Sequence, residues 1–158
     1  MSETDMRLDR KGRSFEEFAV GQTLTTGGRT ITETDITTFA AFSGDWTPIH
    51  TNAVYAATTP YGQRIAHGLI GLAIATGQVM HSGILDGSIL AWREILDWKF
   101  SLPILIGDTL HTELTVVETR AVRRIGGGMV TLRVEILNQE QKIIQQGAWS
   151  VLLKGRQD

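Results

Sequence analysis

Hydrophobic and polar positions change period along this chain, and the changes mark its elements. Residues 1–14 are polar, carry charges of both signs and show no apolar periodicity, which predicts a mobile tail ahead of one domain over 15–154. Phe15 to Phe18 lead through Val20-Gly21 into a Thr- and Gly-rich run, Thr23 to Thr30, expected to form a first strand. Thr32 with Asp35 approximates a helix N-cap; Ile36, Phe39 and Ala40 follow at helical spacing, and Gly44 fits the stop. Asn52 is placed to cap a second short helix running through Ala57.

Ala66 to Ser82 is the longest apolar segment and is apolar almost all the way round, which predicts a buried helix. Glycine or alanine at 68, 71, 73, 75 and 77 lets other backbone approach it closely. After Gly87 the period falls to two. Leu96, Trp98 and Phe100 share one face, with Asp97 and Lys99 on the other. Leu110, Leu114 and Val116 continue the alternation, then Val130 to Ile136, then Trp149, Val151 and Leu153. Gly126-Gly127-Gly128 between two such strands reads as a hairpin turn rather than a phosphate cradle. A buried helix followed by an antiparallel sheet is α+β architecture.

Bulk properties remove several function classes. At 158 residues the chain buries a core without staples, and a net charge of -2 gives no electrostatic case for nucleic acid or an anionic membrane. Without cysteine there are no disulfides, no thiol catalysis and no thiolate metal sites. The apolar segment spans about 17 residues broken by glycines and two histidines, too short and too interrupted for a membrane span. The first dozen residues lack the apolar core of a signal peptide, so a cytoplasmic location is expected.

Candidate chemistry concentrates in Phe42 to Ala56, where Asp45 and His50 stand five residues apart with Pro48 between them. A carboxylate and an imidazole suit the holding of a water and proton exchange with it near neutral pH. On a continuous helix this spacing would turn them roughly 140° apart, so a loop between two helices is expected to bring them together. His67 begins the apolar helix, where a histidine packs or caps. His81 lies about 20 Å further along at 1.5 Å per residue, so the two cannot share a metal. His111 is expected on an outward strand position, and Arg93, Arg120, Arg123 and Arg124 read as solvated strand ends. Nothing in the sequence specifies a metal or a cofactor.

Ser43-Gly44-Asp45-x-x-Pro48-Ile49-His50, followed by Ala56, resembles the signature of the MaoC-like (R)-specific enoyl-CoA hydratases. Ile65-Ala66-His67-Gly68, Trp98-x-Phe100-x-x-Pro103 and Gly107-Asp108-Thr109-Leu110 extend the resemblance over about Val20 to Leu152. One signature position departs: Thr47 stands where the family usually carries Asn, so a hydroxyl replaces an amide. The resemblance implies a hot-dog fold, a sheet wrapped around the central helix. It also implies hydration of trans-2-enoyl thioesters to (R)-3-hydroxyacyl thioesters, with Asp45 and His50 as the catalytic pair. The residues alone do not assign acid and base between them. The N–H of Gly68, at the positive end of the central helix, is the expected donor to the thioester oxygen. Thr47 and His67 are the expected substrate contacts. The substrate is then an acyl-CoA or acyl carrier protein thioester, and the chain is expected to form at least a homodimer.

Two other readings fit a hot-dog chain. A thioesterase usually carries a carboxylate on the central helix, and Ala66 to Ser82 holds no Asp or Glu. A non-catalytic partner subunit has no need of Asp45, His50 and Gly68 together.

Overall fold

A computed structural model of the chain describes residues 12–156, and the expected tail falls outside them up to residue 11. Packing begins before the expected boundary at 14: Gly12 N–H donates to Asp86 O at 2.8 Å, and Arg13 N–H to Ile84 O at 3.0 Å. The expected end at 154 is likewise passed, since Arg156 N–H donates to the Glu16 carboxylate at 2.8 Å.

The alternating segments form one antiparallel sheet. Strands β1 (Thr23–Thr25), β2 (Arg29–Thr30), β3 (Ile89–Phe100), β4 (Thr109–Val122), β5 (Gly127–Leu137) and β6 (Ile143–Lys154) run in spatial order β1-β4-β5-β6-β3, with β2 also on β4. The expected first strand is two short strands, because the chain leaves the ladder at Gly27 and Gly28. There the Gly27 carbonyl accepts from Gln78 Nε2 at 3.0 Å. Gly127 opens β5, and the hairpin from β4 turns through a 3-10 turn at Arg123–Ile125 and a left-handed Gly126.

Helices α1 (Glu33–Ser43), α2 (Pro48–Thr51), α3 (Ala53–Ala57) and α4 (Gly68–His81) complete the fold. Helix α4 lies on the inner face of the sheet, burying Ile70, Gly71, Ala75 and Val79. Register brings the inward rows together: Val116 pairs Leu132, which pairs Trp149, and Val130 pairs Val151. All five are buried, and each large apolar side chain removed from water contributes about 1.5–3 kcal/mol. Among the described residues no helix is long and apolar enough to cross a membrane.

Strand β3 departs from simple alternation. Leu96 pairs Ala148 but Lys99 pairs Gln146, so Asp97 and Trp98 together oppose Gly147. Asp97 takes a positive φ of 49°, the mark of a bulge. The missing side chain at Gly147 leaves room for the Trp98 ring, which packs against the core while Leu96 and Phe100 stay exposed. The expected common face of Leu96, Trp98 and Phe100 is therefore corrected. His111 is also less exposed than expected, at 15%, and sits 3.7 Å from the Glu113 carboxylate.

Candidate active site

Two ends of helices and one extended strand-like segment build this site. Helix α1 starts where the Asp35 carboxylate accepts from Thr32 N–H at 2.8 Å and Thr32 Oγ1 at 3.0 Å. It stops at Gly44, whose φ of 80° admits glycine readily, and its N–H still bonds Ala40 O at 2.9 Å. The chain reverses there and presents Asp45. Pro48 then opens α2, so His50 lies within a short helix rather than on the loop ahead of one. Asn52 caps α3 as expected, its side chain accepting from Tyr55 N–H at 3.0 Å.

Ile65 ties this segment to the sheet and to the central helix. Its N–H donates to Ile49 O at 3.3 Å, while its neighbour Ala66 donates to Ile104 O at 2.8 Å. The Ile65 carbonyl receives the Nδ1–H of His50 at 2.8 Å. A carbonyl only accepts, so the proton sits on Nδ1 and the lone pair is left on His50 Nε2.

His67 is N-cap to α4 and 3% exposed. By the same logic its Nε2–H donates to the backbone carbonyl of Asp45 at 2.8 Å, and its Nδ1 is buried without a partner. The ring stacks on His50 with centroids 3.9 Å apart and meets Phe39 at 4.8 Å on α1. His67, expected among the substrate contacts, thus touches both members of the pair, stacking on the His50 ring and holding the Asp45 backbone.

Asp45 is 44% exposed, and its Oδ1 accepts from the Thr47 hydroxyl at 2.5 Å and from Thr47 N–H at 3.1 Å. These donors, the hydroxyl first, hold the Asp45 carboxyl below its ordinary range, with smaller help from His67 and His50. The shorter hydroxyl of Thr47 thus reaches the carboxylate directly. Ligating atoms of Asp45, His50 and His67 lie within 4.8 Å of one another, a span that one bridging water fits. Two imidazoles and a carboxylate are also a metal-ligating set, but the uncommitted nitrogen of His67 is buried.

Gly68 opens α4, where the first N–H groups have no intrahelical acceptor. A Cβ at residue 68 would lie 2.8 Å from the Phe100 ring, so a side chain there would have to displace that ring. The Gly68 carbonyl accepts from Gln145 Nε2 at 2.8 Å, and Gln145 Oε1 accepts from Trp98 Nε1 at 3.2 Å. Of the residues that support the site, Ile65 belongs to the Ile65-Ala66-His67-Gly68 motif and Phe39 to the helical spacing of α1. Gln145 carries no motif and shows only as a glutamine at an inward position of β6.

A cleft of about 770 Å³ lies between α1 and α4. Phe39, which packs on His67, is part of its wall, although Asp45 and His50 themselves are not.

Residues 15–137 match the family described as MaoC like domain. The chain is 35% identical over 102 residues to the (R)-specific enoyl-CoA hydratase of Rhodospirillum rubrum, covering 65% of this chain and 68% of that one. It is 35% identical over 101 residues to Protein MaoC of Klebsiella aerogenes, covering 64% of this chain but only 30% of that protein. The solved structure of the monoamine oxidase regulatory protein from Archaeoglobus fulgius superposes with a TM-score of 0.85 at 34% identity, covering 92% and 97% of the two chains. The sheet wrapped on α4 is a hot-dog fold. With the family matched over most of its length, the chain belongs to the MaoC-like domain family.

Proposed function

We propose that this chain hydrates trans-2-enoyl thioesters to (R)-3-hydroxyacyl thioesters and runs the reverse elimination. The observation that carries this reading is that His50, its Nδ1–H held by Ile65, and an ionised Asp45 bring ligating atoms within 4.8 Å of one another. One water donates to both. As its oxygen bonds to C3, His50 Nε2 takes its proton and the double-bond electrons move toward the thioester oxygen. The Gly68 N–H at the head of α4 meets that developing charge. The proton then passes from the imidazolium to C2 through the pair, so hydroxyl and hydrogen both come from the one water. Asp45 orients the water and stabilises the imidazolium, consistent with a carboxylate kept ionised by Thr47. Relatives named (R)-specific enoyl-CoA hydratase and 3-hydroxybutyryl-CoA dehydratase support the reaction class.

The acyl group arrives as a thioester of CoA or of acyl carrier protein, and two copies of the chain assemble the working enzyme. Strand β3 lies at the sheet edge and leaves Leu90, Ile95, Leu96 and Phe100 exposed, a surface suited to pairing with a second copy. The thioesterase reading lacks its carboxylate: α4 contains no Asp or Glu. Crotonyl-CoA separates the two activities. Loss of conjugated-thioester absorbance without free thiol is the expected result; release of thiol at the same rate would overturn the hydratase reading.

A further inference from the structure

We infer that the cleft between α1 and α4 takes a straight acyl chain of about ten carbons, which makes the substrate a medium-chain enoyl thioester. The inference rests on the proposed hydratase reading for its direction, since it assumes a thioester carbon at the head of α4. Phe39, whose ring meets that of His67, lines the cleft, which follows α4 past Ile70, Ala73, Ile74 and Gly77. Phe42 of α1 forms part of the opposite wall, so the body of the cleft is apolar; Arg29, paired to Asp35, and His81 also line it. From Gly68 to Gly77 the helix advances roughly 13 Å. An extended hydrocarbon with bonds of about 1.5 Å advances about 1.3 Å per carbon, so roughly ten carbons span that length. The single methyl beyond the double bond of a crotonyl group would leave most of the 770 Å³ empty.

Gly77 supplies an independent argument. Glycine inside a helix is unfavourable relative to alanine. In α4 the other two glycines are accounted for by contact: a Cβ at Gly68 would strike Phe100, and one at Gly71 would strike Gln145 and Ile104. A Cβ at Gly77 meets nothing within 4 Å. Its bare backbone therefore serves no packing, and what it does is keep the cleft open where the tail of a long chain would lie.

Titration calorimetry with saturated thioesters reads this directly, because butyryl-CoA and decanoyl-CoA bind without turning over. Each buried methylene is worth up to about fourfold in affinity, so the wild-type chain should bind decanoyl-CoA at least about 30-fold more tightly than butyryl-CoA. Gly77→Leu fills the cleft without straining the helix and should reduce that ratio to below about fivefold. Ala73→Leu tests the same wall in case the first variant folds poorly. A wild-type ratio near one, or a ratio unchanged in both folded variants, overturns the inference. Either result leaves the hydratase reading standing if crotonyl-CoA is hydrated. Failure to hydrate both crotonyl-CoA and trans-2-decenoyl-CoA alongside a large binding ratio strikes that reading instead.

Discussion

Thr47 donates twice to one oxygen of Asp45, and the consequence is electrostatic. Both bonds favour the charged carboxylate, so the Asp45 pKa is lowered. Thr47→Val removes the hydroxyl donor and keeps the N–H, so this pKa rises toward its ordinary value. If turnover needs ionised Asp45, the acidic limb of the pH–rate profile must move to higher pH, while Thr47→Ser should leave it in place. A profile unmoved by Thr47→Val would separate Asp45 ionisation from the rate. The pair itself was readable in sequence, since Gly44, Asp45, Pro48 and His50 fall within one local turn whose geometry follows from residue type. Its supports were not. The His50 ring is set by a carbonyl fifteen residues away, and the head of α4 by a glutamine seventy-seven residues away. Only folding brings such partners together.

At the scale of elements, α4 makes the sharpest stability test. Gly71→Ala places a methyl against Gln145 Nε2 at 2.6 Å and Ile104 Cδ1 at 2.8 Å. Overpacking of this kind costs about 1–3 kcal/mol. Gly77→Ala meets open space and should stabilise by about 1 kcal/mol. Urea denaturation of the two variants should therefore move the midpoint in opposite directions; a parallel loss would show that Gly77 also packs. The inward residues on β4, β5 and β6 matched their alternating pattern, because a period of two survives wherever pairing is regular. On β3 it failed. The bulge at Asp97 and Trp98 is fitted to Gly147 on the neighbouring strand, so no count along β3 alone reveals it. Similarly, Gly27 and Gly28 interrupt the first strand at a point set by Gln78 of α4.

Across the whole molecule, the proposed second copy is expected to cover the exposed β3 edge. Light scattering at assay concentration should give at least a dimer, and Leu96→Asp with Phe100→Lys should shift it toward monomer. A fully active wild-type monomer would remove the second copy from the proposed enzyme. The central claim is that Asp45 and His50 act on one water as a unit. It is tested most directly by crotonyl-CoA hydration rates of the wild type, Asp45→Asn, His50→Ala and the double variant, prepared free of host hydratase. Groups that act together lose their effect together, so each single change should remove most turnover, on the order of 10³-fold or more. The double variant should be little slower than either. Near-normal hydration by one single variant, or losses that simply multiply in the double, would contradict a shared water.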